Sequence, residues 1–165
     1  EMCIRDRLRL MQLTMKEKKF SIRDSFKIQD GNGEDKYQVV GDLLGTATLR
    51  IKDMGGREVA RIEKKILALK PKFSFYVGKE KVGQIVKDAS LLGTKYHIKG
   101  LVDWKIKGDI TDHKYSILEE KNTIVTVKRK RLALTGTYVF DIEDEKNEIP
   151  ALAAVLAMDY VTSQD

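Results

Sequence analysis

The sequence predicts a mainly β protein, a closed antiparallel β-barrel of about twelve short strands around a central hydrophobic C-terminal α-helix. Three observations carry this. Apolar and polar residues alternate with period two along most of the chain, a weak internal repeat relates its segments, and one C-terminal stretch, "NEIPALAAVLAMDYV" (147–161), has no polar face.

Alternation is clearest in "TATLRIKD", where Ala47, Leu49 and Ile51 share one face and Thr48, Arg50 and Lys52 the other. Val102, Trp104 and Ile106 alternate in the same way with Asp103, Lys105 and Lys107, and further runs pass through Phe73 and Phe75, Tyr96 and Ile98, and Tyr138 and Phe140. Turn-forming residues separate the runs: Asp30–Gly33, Asp53–Gly56, Gly78–Glu80 and Glu119–Asn122. Neither of the two prolines interrupts a predicted strand.

The repeat sharpens this picture. Val59, Ile62, Lys64, Leu69, Lys72, Phe73 and Phe75 are matched after 23 residues by Val82, Ile85, Lys87, Leu92, Lys95, Tyr96 and Ile98. After 65 residues they are matched by Ile124, Val127, Arg129, Leu134, Thr137, Tyr138 and Phe140. Each copy reads as a strand, a connection and a return strand led by an aromatic. The apolar pair three apart at its start breaks strand parity, which predicts a β-bulge there.

So many short strands must pair, be covered or close on themselves. A barrel of this size is too wide for its own side chains to fill. The all-apolar tail is the segment suited to plug it, because a helix hydrophobic on every side belongs inside something. Asn147 is a favoured N-cap, Glu148 suits the positive first turn and Pro150 is tolerated there. Ala151, Ala153, Ala154 and Ala157 keep the rod slim. Asp159 opposes the dipole in the last turn, so it should reach the barrel mouth or find a Lys, Arg or backbone partner.

At 165 residues the chain has the length of one domain, read as 11–165, and its 42% hydrophobic and 34% charged content is that of a globular protein. Residues 1–10, "EMCIRDRLRL", share no pattern with the rest of the chain and read as a non-native leader, "MCIRDR" looking like a translated adapter fragment. Cys3 lies there and is the single cysteine, so no intrachain disulfide or thiolate metal site is expected. No secretory signal opens the chain, and the ten uncharged residues 149–158 fall short of the roughly 18–20 that span a bilayer. These features point to a cytoplasmic protein, peripheral at a membrane if it meets one. The net charge of +6 favours anionic partners.

Catalytic constellations are thin. His97 and His113 both fall on predicted strands, His97 opposite the face of Tyr96 and Ile98. Asp112 beside His113 is a potential dyad, yet neighbours in a strand point to opposite faces. "GNGEDK" (31–36) lacks the spacing of an EF-hand or a P-loop and reads as a hairpin turn. No nucleophile elbow or dinucleotide fingerprint is present, so neither an enzyme nor a cofactor is expected. The feature that suggests binding is "KRKR", Lys128, Arg129, Lys130 and Arg131, with Lys64 and Lys65 at the matching place in the first repeat copy. If the copies are neighbouring hairpins, these cations form one patch able to hold phosphates. Alternation cuts against a single patch, and lysines that protect solvated edge strands from aggregation are the competing reading.

The order "FSIRDSFKIQDGNG", "EVARIEKKILALKPKFSF", "IKGDITDHKYSI" and "IPALAAVLAMD" closely resembles bacterial members of the LURP-one-related family, over Met11 to Asp165. One departure is the basic "KRKRL" ahead of "TGTYVF", where an acidic residue often leads the aromatic. The resemblance implies the tubby C-terminal-like fold, a twelve-stranded barrel threaded by a hydrophobic helix, and a non-enzymatic protein. Structural relatives of the family include phosphoinositide-binding tubby proteins and phospholipid scramblases, although no tubby lipid-binding motif matches here residue by residue. The expectation is therefore a binding module for an anionic ligand, such as a phospholipid headgroup or another phosphorylated molecule, with a nucleic-acid-associated or a protein-interaction or regulatory role as the alternative. Nucleic acid is a poor candidate, because the aromatics fall on predicted core faces and leave no stacking platform.

Overall fold

The computed structural model describes residues 11–16, 25–42, 47–67, 70–90, 93–132 and 135–163. The leader, Cys3 and the repeat positions Leu69, Leu92 and Leu134 lie outside these. Twelve strands form the wall: β1 (Gln12–Lys16), β2 (Phe26–Gln29), β3 (Asp35–Asp42), β4 (Ala47–Asp53), β5 (Glu58–Leu67) and β6 (Lys70–Val77). β7 (Glu80–Ser90), β8 (Gly93–Gly100), β9 (Asp103–Asp109), β10 (Lys114–Glu119), β11 (Asn122–Leu132) and β12 (Thr135–Ile142) complete it. Each strand pairs antiparallel with its neighbours in sequence, and β1 pairs with β12, so the sheet closes without an edge.

The alternation is the barrel's inside and outside. Leu49 and Ile51 on β4, Ile62 on β5, Phe75 on β6 and Ile98 on β8 are at most 2% exposed, as are Trp104 and Ile117. The cavity they surround is filled by α1 (Glu148–Ser163), which a short 3-10 turn, Glu145–Asn147, leads in. Every residue of α1 from Ala151 to Met158 is buried, and so are Tyr160 and Val161. The Tyr160 ring meets Phe73 edge-on with centroids 5.3 Å apart.

The repeat corresponds to the hairpins β5–β6, β7–β8 and β11–β12, and its parity break is a bulge in all three. The pairing of β4 with β5 skips Val59, that of β6 with β7 skips Val82, and that of β10 with β11 skips Ile124. Each bulge leaves a carbonyl off the ladder, and a backbone N–H 19 residues later satisfies it: Gly78 to Val59, Leu101 to Val82 and Glu143 to Ile124. Within each hairpin a cation in the row of the inward residues stands opposite the leading aromatic: Lys64 with Phe73, Lys87, which is exposed, with Tyr96, and Arg129 with Tyr138. The cations sit 5.8, 5.9 and 6.0 Å from the ring centroids, within cation–π range.

β2–β3 carries a fourth bulge, at Lys36. Successive strand residues normally face opposite ways, but the bulge lets Lys36 and Tyr37 reach the same group. Lys36 Nζ pairs with Glu148 Oε1 and the Tyr37 hydroxyl donates to Glu148 Oε2 at 2.7 Å. The first turn of α1 is thereby tied to the wall. Glycine is required where β9 meets β10: Gly108 has φ +117, and a Cβ there would stand 2.5 Å from the Lys114 carbonyl oxygen.

Candidate functional site

The structure separates the basic residues that the sequence suggested as one patch. β5 and β11 lie six strands apart in either direction around the twelve-stranded ring, so Lys64 and Lys65 occupy the wall opposite Lys128–Arg131. The repeat copies are not adjacent hairpins in the way a single patch would need. Parity divides the residues again. Lys65, Lys128 and Lys130 are exposed, whereas Lys64 and Arg129 continue the inward rows of Ile62 and Val127 and stack on Phe73 and Tyr138. The Arg131 side chain lies outside the described residues.

A different basic surface emerges from strand pairing. Lys95 and Lys99 on β8, Lys105 and Lys107 on β9, and Lys128 and Lys130 on β11 are all exposed. None of the six makes an ion pair with another described residue. Lys114 on β10 lies between them and approaches Asp112 at 3.9 Å. Asp103 and Asp109 also point outward from β9 but bridge none of these lysines.

The opposite wall is built differently. Lys27 pairs with Asp35 at 3.0 Å, Arg50 with Glu58 at 2.6 Å and Arg61 with Glu63 at 2.9 Å. Lys27 and Gln29 together hold the Asp35 carboxyl below its usual range. Among the described residues, most cations of the β2–β5 side are ion-paired, with Lys52 an exception, whereas six lysines from β8 to β11 are not.

Two clefts open on the unpaired side. One, of about 720 Å³, lies between β8 and β9, with His97 and Lys105 in its wall. The other, of about 750 Å³, crosses β9, β10 and β11 past Lys107, Lys114, Lys128 and Lys130. Spaced lysines at outward parity, in "KYHIK" and "WKIK", were a sequence signal for this surface that the contiguous "KRKR" run obscured.

The histidines divide as well. His97 is on β8, facing outward as expected, and its Nδ1 lies 2.6 Å from Asp88 Oδ2. His113 is not on a strand. It sits in the β9–β10 turn with φ +54, its ring 4.5 Å from that of Tyr138 and its Nδ1 3.8 Å from Asp159 Oδ1. The Asp112 carboxylate points to Lys114 instead, so Asp112 and His113 do not assemble as a dyad. Asp159 is half-buried and has this histidine among its neighbours. Burial, and then the charge of Asp159, push the Tyr115 hydroxyl pKa up. Among the described residues no group of three or more His, Cys, Asp and Glu side chains is placed to hold a metal, and no helix is long and apolar enough to cross a membrane.

The model of the LURP-one-related family matches residues 11–159. The chain belongs to that family. It is similar to the uncharacterized protein YxjI of Bacillus subtilis (strain 168), with 27% identity over 157 residues, 94% of this chain and 96% of the relative. Among solved structures, the X-ray structure of a protein from Arabidopsis thaliana superposes with a TM-score of 0.58 at 14% identity, covering 92% of this chain and 93% of that one. That likeness is one of fold.

Proposed function

We propose that this LURP-one-related protein is a non-catalytic binding module that docks the lysine face of β8–β11 onto an anionic surface, with phospholipid headgroups as the ligand class. The observation that supports this is the contrast between the two walls: Lys27, Arg50 and Arg61 are ion-paired on β2–β5, whereas six exposed lysines of β8–β11 have no ion pair among the described residues. A lysine near an anionic membrane contributes about 1 kcal/mol, so six on one face suffice for reversible attachment without an inserted segment. A nucleic-acid partner is less well supported, because Tyr96, Trp104 and Tyr115 of these strands are buried inward and offer no base a stacking surface.

Co-sedimentation with phosphatidylcholine vesicles, with and without phosphatidylglycerol, tests the reading. Binding should require the anionic lipid and weaken steeply with salt. Reversing Lys105, Lys107, Lys128 and Lys130 to Glu should abolish it, while reversing Arg57 and Lys65 on the other wall should not. Equal partitioning to neutral and anionic vesicles, or none to either, would refute it.

A further inference from the structure

β8 and β9 are paired only from His97 to Lys99 against Asp103 to Lys105. Beyond His97 the strands part, and the cleft of about 720 Å³ occupies the gap, within the range of small-molecule sites. Lys95, Lys99, Lys105 and Lys107 line it together with the carboxylates Asp88 and Asp103, and no arginine does.

His97 is the feature that distinguishes this cleft from a merely charged surface. Asp88 occupies Nδ1 and so sets the ring's orientation. Nε2 is shielded from water and has no hydrogen-bond partner. A buried polar nitrogen without a partner is disfavoured and calls for a counterpart. The outward neighbours of His97 by register are Lys95, Lys99, Lys105 and Val86, so long flexible lysines make up most of what can shield it.

We propose that the β8–β9 cleft is a specific site for a phosphate monoester, whose oxygens take the ammonium groups of Lys95, Lys105 and Lys107 and a proton donated by His97 Nε2. With Asp88 at Nδ1, Nε2 is the ring's one open hydrogen-bonding position, and the phosphate supplies the missing partner there. Lysine binds a phosphoryl group as a point charge. The three terminal oxygens and double negative charge of a monoester can take several ammonium groups and the imidazole at once, more than the two oxygens and single charge of a carboxylate. The proposal rests on the anion-docking reading above and narrows it from a charged face to one headgroup chemistry.

Calorimetric and NMR titration of the full chain with glycerol 3-phosphate, paired with vesicle binding, tests it. Saturable one-site binding should shift the His97 ring nitrogens. His97→Gln and Lys95→Gln should each weaken it about tenfold, as expected for loss of a charge-assisted hydrogen bond. Lys128→Gln, on the other cleft, should change it less than twofold, and thermal melts of all three variants check their folding. Vesicles carrying phosphatidic acid, a monoester, favoured over phosphatidylglycerol at matched surface charge would assign the site to a lipid headgroup. Glycerol 3-phosphate binding without that preference would assign it to a soluble ester. Charge-dependent vesicle binding with no preference, no glycerol 3-phosphate binding and no movement of the His97 signals would overturn this site while leaving the surface reading intact. Absence of all anion binding would overturn both.

Discussion

Tyr37 donates its hydroxyl to Glu148 at 2.7 Å, joining a bulged wall strand to the first turn of the helix that fills the barrel. The Tyr37 side chain is 5% exposed, so its hydroxyl has little recourse to water if the carboxylate is lost. Glu148→Ala should therefore cost about 1–3 kcal/mol of unfolding free energy. Tyr37→Phe should cost less, and the double variant should fall short of the sum, because the two residues share one interaction. Urea unfolding of the four proteins measures this. Additive losses would mean that the hydroxyl and carboxylate act independently.

Gly108 and Gly33 both have positive φ, at +117 and +81, but their surroundings differ. A Cβ at Gly33 meets nothing within 4 Å, whereas one at Gly108 runs into the backbone of Lys114 and Tyr115. Gly33→Ala should cost about 1 kcal/mol, the ordinary penalty of a left-handed conformation. Gly108→Ala has to move the neighbouring strand as well, so its melting temperature should drop further. Equal drops would place the whole effect in local backbone preference.

Alkaline unfolding follows from the buried phenols. Burial, with the Glu148 carboxylate, raises the pKa of Tyr37; burial, with Asp159, raises that of Tyr115; burial alone raises that of Tyr160. The folded state therefore favours the neutral form of each, while the unfolded chain ionises near pH 10. Stability is full below pH 10 and falls as the pH rises above it, because unfolding then releases protons. Absorbance at 295 nm should show these tyrosines ionising together with the loss of circular dichroism, and Tyr115→Phe should move the transition to higher pH. Ionisation of the three while the ellipticity persists would contradict it.

What could be read in the sequence was whatever depends on spacing along the chain. Val59 and Ile62 are apolar and three apart, a separation a regular strand cannot place on one face, and the bulges at Val59, Val82 and Ile124 follow from it. The all-apolar run from Ala151 to Met158 likewise has one comfortable location in a closed sheet. What depends on position around the ring was hidden. Lys64 and Arg129 match in the repeat yet stand on opposite walls, because a repeat gives each copy's internal geometry and not its azimuth. His113 and Asp159 meet only because the β9–β10 turn takes a left-handed residue, which a His beside an Asp does not announce.

The lysines of β8–β11 carry a second consequence for stability. Lys95, Lys99, Lys105, Lys107, Lys128 and Lys130 have no ion-pair partner among the described residues, and Lys128 stands beside Lys114 of the adjacent strand with like charge. Neutralising Lys107 and Lys130 to Gln should leave stability unchanged within about 0.5 kcal/mol or raise it, as expected away from packed or paired features. Arg50→Gln on the other wall removes a 2.6 Å pair with Glu58 and should lower it. A marked loss in the lysine variants would make those residues part of the fold rather than a surface held ready for a ligand.

The helix tests how completely the barrel is filled. Ala153 and Leu156 are both fully buried, one small and one large, on a rod enclosed by the wall. If the tube is packed to the density of a protein interior, changes in either direction should destabilise it. Leu156→Ala should cost about 2–5 kcal/mol, the lost transfer energy plus the cavity left behind. Ala153→Leu should cost about 1–3 kcal/mol or more, because the added carbons have to displace a closed sheet that cannot open at an edge. On an exposed helix the same Ala→Leu change would be close to neutral, the two residues having similar helix propensity. Thermal denaturation of the two variants separates these cases: losses in both show a filled tube, whereas a rise in melting temperature for Ala153→Leu would reveal spare volume beside the helix, and with it room for a ligand inside the barrel as well as on its surface.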